Sequence, residues 1–345
     1  MTEGFGLGQW IAIFVVASAA VIWAGIRLAR AGDEIATGTA FGGLVVGMLL
    51  MAAATSLPEI VADVSAAIAD APELAVGDLF GSNMANMAIL AVIDLIARRK
   101  VWPTVELGHA RVASVAISLT ALAVLGILTP VGVSIGWVGL DTIAIAAAYV
   151  LAVAWVRRSR SRGPKAGRDL GEVPAPTGWT RAAPGATPLR GAIVRFSLAA
   201  AVVFAAGPIV AIAGKGVADT SGLGQTFVGV AMLAVATSFP ELVASIAAVR
   251  IGAFDLAVGN LFGSNAINMA MLVIVDLAFT RGPLLSAVAS SDVIIAGVGA
   301  ILLMAIALAA VVHGEETRIK RLEPDAVVLL LAYVGALVAV FSVTA

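Results

Sequence analysis

Cysteine is absent from this chain, which excludes disulfides and thiolate metal sites and leaves the compartment open. Charge is scarce as well. Only 12% of residues are Asp, Glu, Lys or Arg, against about 25% in a soluble domain. The net charge of −1 and the lack of any basic domain with interleaved aromatics exclude a nucleic-acid partner. Nothing in the composition calls for a cofactor or a protein partner. The N-terminal MTEGFGLGQW has no positive segment ahead of its apolar run, so that run is expected to be a first membrane span and not a cleaved signal peptide.

What the chain does have is apolar sequence, 61% of its 345 residues, in long runs that point to lipid as the surrounding solvent. Crossing a hydrocarbon core takes about 20 such residues. Candidate spans lie near 9–29, 38–69, 72–97, 110–130, 134–156, 191–213, 224–249, 255–280, 288–312 and 324–344, ten in all. With the N-terminus outside, 19 of the 21 Lys and Arg residues fall on the inner side, leaving Lys215 and Arg281 outside. That bias predicts N-terminus and C-terminus both outside. Residues 157–190 are basic, rich in Pro and Gly and without hydrophobic periodicity, and read as a cytoplasmic linker.

The sequence repeats itself. A displacement of 182 carries ATSLPEIVA (54–62) onto ATSFPELVA (236–244) and LAVGDLFGSNMANMA (74–88) onto LAVGNLFGSNAINMA (256–270), with no gap between the blocks. Five spans separate equivalent positions, so the second copy is expected to cross in the opposite sense. The expected fold is an all-α integral membrane protein of ten transmembrane helices in two inverted five-helix repeats, 1–156 and 191–345, joined by the 157–190 linker. Inverted repeats with interrupted helices are an architecture of secondary transporters.

Chemistry concentrates in the repeated blocks. Pro58 and Pro240 remove a backbone N–H and free the carbonyl one turn earlier, a turn from Glu59 and Glu241. Together with Thr55, Ser56, Thr237 and Ser238 these oxygens could ring a hard cation, and two carboxylates suit a divalent one. The bland alternative is a proline kink with a glutamate near an interface. In the second block Asp78, Ser82 and Asn86 share a helix face, as do Asn260, Ser264 and Asn268. Gly77, Gly81, Gly259 and Gly263 between them read as a packing seam. Asp63, one turn after Glu59, either extends an ion pathway or lies near the outer surface. Asp94 and Asp276 read as boundary charges, Asp70, Glu73 and Asp255 as loop residues, Asp141 and Asp292 as solvated, and His109 and His313 as members of cytoplasmic loops.

These blocks resemble the sodium/calcium exchanger family within the wider cation/calcium antiporters; the resemblance covers both motifs, ATSLPE with GDLFGSNMAN and ATSFPE with GNLFGSNAIN. It implies an antiporter of the cell membrane, with calcium and sodium ions as its substrates and lipid around it, working by alternating access. It implies that Glu59 and Glu241 coordinate calcium, that Thr55 and Thr237 lend backbone carbonyls, and that Ser56, Ser82, Asn86, Ser238, Ser264 and Asn268 fill the remaining ion-site positions. It further implies electrogenic exchange, with the first and sixth spans sliding across a fixed core. The chain departs from the pattern at Asp78, where asparagine is usual, and at Asn268, where an acidic residue is common, as if one carboxylate had changed helices. Asp78 therefore joins the expected metal-binding set. The short linker carries no calcium-sensing domain. Alternatives are proton-driven exchange, another divalent substrate, a channel, or an intramembrane aspartyl protease built on Gly77-Asp78. The last needs a second aspartate, and the repeat offers Asn260 in its place.

Overall fold

The computed structural model describes residues 4–38, 55–97, 108–130, 132–160, 189–250, 252–288, 290–313 and 324–344. These are helical apart from one small antiparallel hairpin, Ser134–Ile135 with Val138–Gly139. In chain order the helices are α1 (Leu7–Gly38), α2 (Leu57–Ile68), α3 (Pro72–Ile96), α4 (Gly108–Leu128), α5 (Leu140–Arg160), α6 (Leu189–Ser221) and α7 (Gln225–Thr237). There follow α8 (Phe239–Arg250), α9 (Phe254–Ala278), the single turn α10 (Leu284–Ala287), α11 (Ser291–His313) and α12 (Pro324–Thr344).

Seven of these helices are long and apolar enough to cross a membrane, and the pair α7–α8, bent by 45°, makes an eighth. Two expected spans are not among them. Of the run 38–69, residues 39–54 lie outside the described ones, leaving the short α2. The run 134–156 begins too early, because Gly136 takes φ 66° and turns the chain into the hairpin, so that the apolar helix is only Leu140–Val156. Of the linker, residues 161–188 are outside the described ones.

The repeat is visible in the helix boundaries. A displacement of 182 carries Leu57–Ile68 onto Phe239–Arg250 and Pro72–Ile96 onto Phe254–Ala278, residue for residue, and Leu7 onto Leu189. Contacts are reciprocal too. α1 lies along its counterpart α6, α2 packs on α6 as α8 packs on α1, and α3 is flanked by α11 and α12 as α9 is by α4 and α5. Such exchange of partners is what a local two-fold relation produces. The two halves of the chain therefore interleave, and α3 and α9 lie at the centre as the most buried spans.

Small residues make that centre possible. A Cβ on Gly81 would sit 2.5 Å from Val230 Cα and 2.8 Å from Ala234 Cβ, and one on Gly77 would sit 2.9 Å from the Thr226 carbonyl oxygen. The glycines of the first motif are a packing seam, as expected, with α7 as the partner. On the other side of the core, α1 crosses the starts of α2 and α8 at Gly25, where a Cβ would lie 2.6 Å from Pro240 Cγ and 3.3 Å from Pro58 Cγ.

Several acidic residues fall differently from expectation. Glu73 and Asp255 are in the first turns of α3 and α9, where a carboxylate complements the helix dipole, and not in loops. His109 is in the first turn of α4 and pairs with Asp255 at 3.2 Å, while His313 ends α11. Asp292 is buried instead of solvated. Asp276 is no boundary charge: it is buried and accepts hydrogen bonds from Gly139 N–H (2.8 Å), Thr142 Oγ1 (2.6 Å) and Leu284 N–H (2.8 Å), tying the hairpin and α10 to the end of α9.

Candidate functional site

The site begins where two proline-led helices start. Ser56 precedes α2, and Ser238 stands at the break between α7 and α8, with similar backbone angles (φ −86°, ψ −1° and φ −82°, ψ 5°). Proline has no N–H to give, so at Pro240 the helical hydrogen bond to the Ala236 carbonyl is lost and the chain bends. One residue beyond each proline stands a glutamate, Glu59 or Glu241, in the first turn of the new helix.

The two glutamates are buried and within Coulombic reach of each other. Ser238 lies beside Glu59, and Thr55 beside Glu241. Asp78, from α3, acts on Glu59 from one side, and its Oδ1 is 3.2 Å from the Thr237 hydroxyl. Asp63 lies one turn beyond Glu59, and its carboxyl is within hydrogen-bonding reach of Asp78. It is fully buried, which excludes a place at the outer surface. Four carboxylates thus gather in the core, and the ion pairs among the described residues, His109–Asp255, Arg195–Glu34 and Arg281–Asp70, all lie elsewhere.

All eleven positions expected to bind metal are buried: Thr55, Ser56, Glu59, Asp78, Ser82, Asn86, Thr237, Ser238, Glu241, Ser264 and Asn268. The contacts above join Thr55, Glu59, Asp78, Thr237, Ser238 and Glu241. Ser82 and Ser264 sit one turn before Asn86 and Asn268 on α3 and α9. Sequence reasoning passed over two residues, Asn83 and Asn265, which bond the amides of Asn268 and Asn86 at the crossing of α3 and α9. The repeat carried the signal, because these asparagines are equivalent under the same displacement.

Several buried oxygens here have no hydrogen-bond partner, among them Asn86 Oδ1, Asn268 Oδ1 and the hydroxyls of Ser56 and Ser82. Buried polar atoms are ordinarily satisfied, so a cluster of unspent acceptors is the donor set a hard cation would use. No three His, Asp or Glu side chains among the described residues converge as a metal cluster. A cation held here would draw on hydroxyl and amide oxygens as well as carboxylates.

Long apolar helices around a core of buried carboxylates and other polar oxygens make a multi-pass membrane protein. The family profile described as "Sodium/calcium exchanger protein" matches residues 9–156 and 191–342, and the chain belongs to that family of cation/calcium antiporters. It is a transporter and not an enzyme. Among its relatives is the "Putative antiporter CaxA" of Alkalimonas amylolytica, 29% identical over 324 residues, which covers 93% of this chain and 95% of the relative. The "Inner membrane protein YrbG" of Escherichia coli (strain K12) is 25% identical over 279 residues, 79% of this chain and 80% of that one. The fold is shared with the crystal structure of the H+/Ca2+ exchanger CAX at a TM-score of 0.71 and 13% identity, over 99% of this chain and 86% of that one.

Proposed function

We propose that the protein exchanges sodium for calcium across the cell membrane by alternating access, with Glu59 and Glu241 as the calcium-binding carboxylates. The observation that carries this reading is the pair itself. Two buried glutamates from equivalent places in the repeat lie near each other with no buried Lys or Arg among the described residues, and burying like charges is costly unless a cation joins them. Thr55, Ser56, Ser82, Asn86, Thr237, Ser238, Ser264 and Asn268 complete the oxygen set, and Asp78 adds charge on the α3 side. The framework is ten spans in two inverted five-helix repeats, 1–156 and 191–345, with the 157–190 linker in the cytoplasm and both termini outside. The reciprocal helix contacts and the 19 to 2 distribution of basic residues support that arrangement.

A second reading, proton-driven exchange, is favoured by Asp63 and Asp78. Two carboxyl groups within hydrogen-bonding reach can share one proton, and the structurally similar CAX is an H+/Ca2+ exchanger. Reconstitution separates the two. Purified protein in liposomes loaded with a calcium indicator is given a sodium gradient or a proton gradient, at clamped membrane potential. The sodium reading expects calcium flux that follows the sodium gradient and changes with potential. Flux that follows only the proton gradient, with no response to sodium, replaces it with the second reading.

A further inference from the structure

Four asparagines meet where α3 crosses α9. Asn83 and Asn265 are equivalent in the repeat, as are Asn86 and Asn268, and all four are buried. Asn86 donates from Nδ2 to Asn265 Oδ1 at 2.8 Å, and Asn268 donates from Nδ2 to Asn83 Oδ1 at 3.1 Å. Asn83 in turn donates to Thr120 Oγ1 at 3.4 Å, and Asn265 donates to the backbone carbonyl of Asn83 at 3.2 Å. A side-chain amide has a donor end and an acceptor end, and the partners of one end decide where the other points. With the donor ends of Asn86 and Asn268 spent at the crossing, their carbonyl oxygens turn away from it, and both are buried without a donor.

We infer that Asn83 and Asn265 are positioning residues, which lock the amides of Asn268 and Asn86 so that one neutral carbonyl oxygen from each repeat is presented to the transported cation. This rests on the cation-site reading proposed above. The lock is directional. A carboxylate in place of Asn268 would set oxygen against Asn83 Oδ1, and Asn83 could answer only by turning its own amide away from Thr120. Neither Asn83 nor Asn265 contacts the ion in this arrangement, and each acts through its partner in the other repeat.

The test is calcium binding to the purified full-length chain by titration calorimetry. Asn83→Leu deletes the acceptor and should weaken binding about tenfold, the scale of one hydrogen bond. In an Asn268→Ala background the same change should cost nothing further, whereas in an Asn86→Ala background the losses should multiply. Asn265→Leu should show the mirror pattern, redundant with Asn86→Ala and independent of Asn268→Ala. Losses that multiply within the Asn83/Asn268 and Asn265/Asn86 pairs, or unchanged affinity in both Leu variants, overturn the inference. Where a Leu variant does not fold, the Ala variant at the same position enters the same cycle. A wild-type chain that binds no calcium refutes the calcium reading instead, and the cycle is then read from sodium-dependent thermal stabilisation.

Discussion

Glu59 and Glu241 are buried near each other, and no Lys or Arg among the described residues is buried with them; in the proposed function a cation offsets their charge. Replacing either by glutamine removes half of the paired charge. Calcium flux in liposomes should be abolished, while the ion-free protein should be at least as stable as the wild type, because a like-charge contact has gone. The calcium-induced rise in melting temperature should also vanish. Near-normal flux in either variant would place the site elsewhere. Asp78 and Asn268 have different surroundings. Asp78 faces Asp63, Glu59 and Thr237, whereas Asn268 bonds Asn83. Asp78→Asn should lower sodium dependence, and adding Asn268→Asp should restore none of it. Recovery in the double variant, measured as sodium-dependent calcium flux, would show that the two positions serve one charge.

Between elements, the tightest requirement is the α3–α7 seam. Any side chain on Gly81 meets the backbone of Val230, which cannot move aside as a flexible side chain would. Gly81→Val should therefore destabilise the protein by about 1–3 kcal/mol or more, as overpacking generally does. Gly335→Ala, at a helix position with nothing within 4 Å, is the control and should leave the melting temperature unchanged or slightly raised. Thermal unfolding of the two variants in detergent checks both. An unshifted Gly81→Val would mean that α3 and α7 are not held at this distance in solution.

For the whole molecule, the orientation can be read with cysteines, since the chain has none of its own. Ser134→Cys, in the hairpin, should react with a membrane-impermeant maleimide in intact cells. Ser161→Cys, in the linker, should react only after permeabilisation. The opposite pattern would invert the topology, and equal labelling would break the span count. The interleaving of the two halves also explains why neither is expected to fold alone: α3 is enclosed by α11 and α12, and α9 by α4 and α5.

The sequence by itself determined the solvent and the family, and it marked the polar positions that the fold buries. Long apolar runs, a displacement of 182 and two proline–glutamate motifs are one-dimensional patterns, and local chemistry makes each of them readable. It also placed the break between α7 and α8, because proline acts on its own backbone. Only the tertiary structure decided which oxygens meet. Asp63 became a buried partner of Asp78, Asp276 became the anchor of a hairpin that the hydropathy had assigned to a span, and Asn83 and Asn265 became the holders of Asn268 and Asn86. Asp63 and Asp78 come from two different helices, and the other contacts join residues more than a hundred positions apart. How the helices pack sets all of them, and none is written in spacing along the chain.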